Sequence, residues 1–192
     1  MHKISPMAQP ISPQAVKLIV AMLSREVSLF RLAEEEMQKL WGVIDIHSNI
    51  FSFEHTNYYE NQMGSALKRK FISFSQLIYP GLLASIKHQS NSLEEKIAQT
   101  EIGRSLTVKR PVNLDPGYVD PGKLVLATTK NYSHRIYIGQ SMYAEATLHY
   151  HKGRWEAWPY TYPDYASDEY DQFLNQTRQR LMEQLSSQKR PT

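Results

Sequence analysis

The residue types best suited to chemistry gather between Val112 and Tyr150, in VNLDPGYVDPGKLVLATTKNYSHRIYIGQSMYAEATLHY. Three short apolar runs alternate there between tight-turn sequences, which predicts a three-strand antiparallel meander. A three-residue turn at Gly139-Gln140-Ser141 pairs Ile138 with Met142, Ile136 with Ala144 and Arg135 with Glu145. A four-residue turn over 130–133 pairs Thr129 with His134 and Thr128 with Arg135. One face then carries Val125, Ala127, Ile136, Ile138, Ala144, Ala146 and Leu148, the expected core. The other carries Leu126, Tyr137 and Tyr143, then Thr128, Arg135 and Glu145, continued by Thr147 and His149.

A guanidinium offers a planar fork of donors to an oxyanion, and a carboxylate beside it can orient it or take a proton. Arg135 is therefore expected to clamp an anion, helped by Lys130 and Thr128 at the strand end. Glu145 or His134 is expected to move a proton; His134 falls on the core side, where its ring needs a partner. The bland alternative is a cross-strand ion pair on a solvated face, contributing about 0.2–1 kcal/mol. Asn113 and Asp115 project on one side of a strand end, where they could position substrate or magnesium or simply make a turn.

Gly117 to Leu124 stands one residue away from a phosphate-binding loop. The hydroxyl that should follow Lys123 is Leu124, a strand follows where a helix is needed, and Pro121 lacks an amide. Two successive Asp-Pro-Gly turns are the plainer reading. Glu145, His149 and His151 have metal-ligand types, but about 13 Å of strand separates Glu145 from His149, and no metal site is expected. No Ser/His/Asp set, nucleophile elbow or HExxH is present. The aromatic run Trp155 to Tyr165 reads as a packed lid, or with Lys68, Arg69 and Lys70 as a surface for single-stranded nucleic acid. Tyr58, Tyr59 and Glu60 lie in a polar loop that makes a second lid or a satellite core.

These groups need a scaffold. Residues 1–13 read as a flexible tail, 14–187 as a single α+β domain and 188–192 as a second tail. Val16 to Leu23 reads as a buried strand. Ser24 is expected to cap a helix over 25–41, with Phe30, Ala33, Met37, Leu40 and Trp41 on its inner face and Gly42 at its end. Residues 43–54 read as a strand, Ile44 and Ile46 inward, bent near Ser48; another spans 67–74. A short helix is expected over 80–87 and a second, boxed by Ser92 and Glu95, ending at Gly103. A strand over 107–113 precedes the meander, and a helix from Asp168 closes the chain. The fold class is α+β: a mixed or antiparallel sheet with a ferredoxin-like βαββαβ start, a C-terminal three-strand meander and a terminal helix.

The 192 residues are enough for one core. A formal charge of +3 permits an acidic partner without requiring one. The absence of cysteine removes disulfides, thiolate nucleophiles and zinc–thiolate sites, and fits the cytoplasm. No secretory signal or membrane span is apparent.

VNLDPGY, KLVLATTKNYSHRIYIG, MYAEATLHY, YTYPDY, VKLIVAMLS and the T-x-YYE-x-x-MG pattern at Thr56–Gly64 resemble the bacterial domain of unknown function family numbered 4416. That resemblance draws attention to Tyr58, Tyr59, Glu60, Asn113, Asp115, Lys130, His134, Arg135, Glu145, Tyr162 and Asp164. It would also pass on the GTP-binding label some members carry, although no valid phosphate loop or Asn-Lys-x-Asp motif stands here. The leading expectation is a cytoplasmic protein that binds a small anionic ligand, such as a nucleotide or other phosphate compound, with its transformation left open. The alternative is a non-enzymatic protein- or RNA-interaction module. No cofactor or oligomeric state is implied.

Overall fold

The first strand, β1 (Val16–Ser24), is buried at every position because it is central and covered on both faces. The computed structural model describes residues 9–54, 56 and 59–188; the expectations for Tyr58 and for residues 1–8 and 189–192 lie outside them. Leu18, Val20 and Met22 enter one core, Ile19 and Ala21 the other. Helix α1 (Val27–Trp41) brings Leu29, Phe30, Ala33 and Met37 to the first core, whereas Leu40 is exposed. Its cap is not Ser24, which ends β1 and donates to the Pro111 carbonyl; the Glu26 carboxylate accepts from the Ser28 amide instead.

β2 (Ile44–His47) and β3 (Phe51–Ser52) are separated at Ser48, as expected. A bulge between Ile44 and Ile46 sends these two side chains to different cores rather than one, and turns Asp45 toward Lys17 and Ser73. The one-turn helix α2 (Glu60–Met63) precedes β4 (Lys68–Ile78). A 3-10 turn, Pro80–Leu82, leads directly into α3 (Leu83–Ala98). The two expected helices are therefore one, with Ser92 in its interior. The break falls at Thr100, whose hydroxyl accepts from the Gly103 amide and starts α4 (Glu101–Ser105).

Strand β5 (Asn113–Asp120) begins where the sequence suggested a strand would end. Asp115-Pro116-Gly117 is thus strand, not turn. Gly117 is required there: an added Cβ would meet the Val125 carbonyl oxygen at 2.4 Å. The second Asp-Pro-Gly is a turn, with Asp120 Oδ1 accepting from the Gly122 and Lys123 amides. It joins β5 to β6 (Lys123–Thr128), so the near-phosphate-loop sequence is an antiparallel hairpin. β7 (Ile136–Gly139), β8 (Met142–His151), β9 (Arg154–Ala157) and α5 (Asp171–Gln188) complete the chain.

The antiparallel sheet runs β2-β4-β1-β5-β6-β8-β7, with β3 beside β4 and β9 beside β8. Its first four strands have the expected ferredoxin-like order, α1 and α3 covering one face and α5 the other. The last three are present but ordered differently: β8 lies between β6 and β7. The segment 129–135 is long enough to cross over, while the positive-φ turn at Gly139, Gln140 and Ser141 ties β7 to β8. Ile136 faces Ala144 as expected, yet on this edge strand it is 72% exposed and no part of the core. β8 also carries an extra residue near Thr147, opposite the step between Leu124 and Val125. No described helix is long and apolar enough to cross a membrane.

Candidate ligand-binding cleft

The β5–β6 ladder runs only from Gly117↔Leu126 to Asp120↔Lys123. Beyond it, the start of β5 stays on β1 and the end of β6 stays on β8, so the two strands part. Pro116, with no N–H to give, stands where the ladder stops. A cleft of about 750 Å³ occupies the opening. β5 contributes Asn113 and Asp115, and β6 with the residues after it contributes Thr128, Thr129 and Lys130. Lys87, Asn91 and Glu94 come from α3, Arg69 from β4, Arg110 from the approach to β5, and Tyr162, Asp164 and Tyr165 from the aromatic segment.

Lys87 is buried and donates to the Leu114 carbonyl (2.9 Å) and Asp115 Oδ1 (3.1 Å). Asp115 Oδ2 accepts from the Asn113 amide. Burial would raise the Asp115 pKa, but Lys87 and Arg69 outweigh it and hold the carboxyl below its ordinary value. Glu94 grips Arg110 (2.6 Å) with one oxygen and accepts the Leu114 amide (2.7 Å) with the other. Burial pushes the Glu94 pKa up, against Arg110 and Lys87. Arg69 lies 4.6 Å from the centre of the Phe53 ring and bonds Asp164 at 3.2 Å. Burial pushes up the phenol of Tyr59, and partial burial that of the half-exposed Tyr162, so both stay protonated donors.

Several donors around these cations are unmet, although carboxylates also line the cleft. An ammonium has three N–H groups and a guanidinium five. Lys87 has two protein acceptors. Arg69 bonds through one nitrogen to Asp164; among the described residues its Nε has no partner, and neither has the buried Tyr165 hydroxyl.

Of the expected site residues, Tyr59, Asn113, Asp115, Thr128, Lys130 and Glu145 line this cleft. Glu60 does not; it is exposed at the start of α2, beside a separate and smaller hollow. Arg135 and His134 stand behind Glu145. Its Oε2 accepts from Arg135 Nε (2.9 Å) and lies 3.1 Å from His134 Nε2, and its Oε1 accepts from Thr147 (3.1 Å). The Arg135 side chain is 8% exposed and also donates to the Lys130 carbonyl and the Tyr162 hydroxyl. It braces the wall from outside the cleft. His134 is not on the core side: it stacks on Tyr160, ring centres 4.2 Å apart. The extra residue in β8 puts Glu145 with Leu126 and Leu148, and turns His149 and His151 to the opposite face. The aromatic segment divides: Trp155 lies in β9 and is buried with Tyr165, while Trp158, Tyr160 and Tyr162 are exposed.

Lys87, Glu94, Arg69 and Arg110 were missed as site residues. A signal existed for the first two. Leu83, Lys87, Ser90, Glu94 and Ile97 share the inward stripe of α3, so two charges occupy core positions of a helix. Dividing that helix in two hid the stripe.

The family model for domain of unknown function 4416 matches residues 14–181, and the chain belongs to that family. No curated protein and no solved structure matched.

Proposed function

We propose that the cleft between β5 and β6 binds a small ligand with an anionic group, of the nucleotide or phosphate-compound class. The observation that carries this reading is the set of unmet donors on Lys87, Arg69 and Tyr165 in a concave site. Buried donors without acceptors are costly, and an oxyanion supplies acceptors at short range. The volume suits a ligand of that size. Lys87 and Arg110 attract the anionic end. Asn113, Asp115 and Glu145 receive N–H or O–H groups of the remainder; three contacts leave Glu145 about one acceptor position. Arg135 and His134 fix the Glu145 carboxylate and act through it.

Thermal shift against inorganic phosphate, pyrophosphate and nucleoside mono-, di- and triphosphates tests the proposal. Stabilisation of wild type by at least one compound, lost in Arg110→Ala and weakened in Arg135→Ala, is expected. No shift with any compound, or equal shifts in all three proteins, overturns it.

A second reading draws support from the exposed Ile136 and Tyr137 on edge strand β7 and the exposed Tyr132 before it. Such a surface suits a protein or RNA partner. Filter binding to mixed RNA across salt concentrations, with Tyr137→Ser as the variant, tests it: a salt slope that this change leaves untouched removes the reading.

A further inference from the structure

The β8–β9 hairpin builds a second polar cluster outside the cleft. His149 and His151 are two residues apart on β8 and share a face, and Glu156 on β9 lies directly across from His149. One ligand atom from each of the three lies within 4.8 Å of the others. Glu156 Oε2 is 3.2 Å from His149 Nε2 and 3.5 Å from His151 Nδ1. We propose that His149, His151 and Glu156 form a binding site for a divalent transition ion of the zinc class.

The spacing suits such an ion. With bonds of about 2.0–2.1 Å, tetrahedral ligands lie about 3.4 Å apart. Both carboxylate–imidazole separations already match, and only the two imidazoles must draw together. All three side chains are partly exposed and can rotate to do so. Two imidazoles and one carboxylate favour zinc, cobalt or nickel over magnesium and calcium, which prefer oxygen alone. Three protein ligands leave a fourth position for water or an outside molecule.

Two neighbours set the strength. The His149 ring rests on Trp158, centres 4.3 Å apart, which limits its freedom before an ion arrives. Against this, His149 Nδ1 is buried without an acceptor among the described residues, so none of them gives the outer support that strengthens a ligating imidazole. Arg154 Nε also holds Glu156 Oε1 at 2.8 Å and adds a positive charge. That balance makes binding weaker than at a site with full outer support.

Equilibrium dialysis of the full chain with zinc, after chelator treatment, tests the site, with cobalt absorption reporting geometry. One zinc ion per chain is expected, and cobalt loaded in its place into the chelator-treated protein should give a tetrahedral spectrum and quench tryptophan fluorescence, with Trp158 beside the site. His151→Ala and Glu156→Gln should each weaken zinc binding about tenfold or more. His47→Ala and His88→Ala should leave it unchanged. Arg154→Ala should tighten it several-fold, because a competing cation is gone; a purely structural cluster has no reason to respond this way. Absence of zinc binding at a hundred micromolar, or undiminished stoichiometry in the His149→Ala/His151→Ala double variant, overturns the proposal.

Discussion

Two buried lysines anchor opposite parts of this protein, and they differ in how completely they are satisfied. Lys17, on β1, is 0% exposed. It donates to Asp45 (2.7 Å), the Phe74 carbonyl (2.8 Å) and Gln184 (3.0 Å), so three donors meet three acceptors in a packed interior. Lys87, on α3, is nearly as buried but has two acceptors and a cleft beside it. Burial lowers the Lys17 pKa in spite of Asp45, as expected of a charge held only by protein. The first lysine reads as structure, the second as half of a binding site. Burial alone separates neither; the count of unmet donors does.

The largest expected effect lies at the closed end. Lys17→Met should destabilise the protein by about 3–5 kcal/mol in urea unfolding, because Asp45 keeps only Ser73 and the Phe74 carbonyl and Gln184 also lose their donor inside the fold. Ligand stabilisation, expressed as a fold-change in affinity, should survive. Lys87→Met should cost less, about 1–3 kcal/mol, since Asp115 keeps Asn113 and some water, yet it should abolish the ligand-induced shift. If the two variants behave alike in both measurements, the contrast fails.

Asp115→Asn sharpens it by pH. The folded-state pKa of Asp115 is depressed, so its contribution is present above the unfolded value near 3.8 and is lost as pH falls through the folded one. The variant should be less stable than wild type by about 1 kcal/mol at pH 7. That difference should shrink toward zero under acid. A gap independent of pH would mean the carboxylate charge does not matter there. Glu94 has the opposite sign: burial raises its pKa, so its contribution weakens as pH rises above the unfolded value near 4.5. Arg110→Ala should cost about 1 kcal/mol, because the largely buried Glu94 loses its cation but keeps the Leu114 amide, and it should remove the thermal shift given by the anionic ligand.

Much of the scaffold was legible because its signals are local. The apolar run at Val16–Ser24, the stripe on α1 and the stop at Gly42 each announce one element. The Arg135–Glu145 contact was legible too, since a tight turn sets its register. The strand order β6-β8-β7 was not, because a seven-residue crossover (129–135) permits either neighbour. The cleft was hidden for a related reason. It exists where two strands stop pairing, and no composition marks that point except Pro116 beside Gly117. Arg135, the most conspicuous cation in the sequence, is held behind the wall, and the less conspicuous Lys87 faces the opening.

The most direct measurement is isothermal titration of wild type and Lys87→Met with the phosphate compound giving the largest thermal shift. One site per chain in wild type, with at least a tenfold loss of affinity in the variant at retained fold, is the predicted result. Equal affinity in both proteins would contradict it.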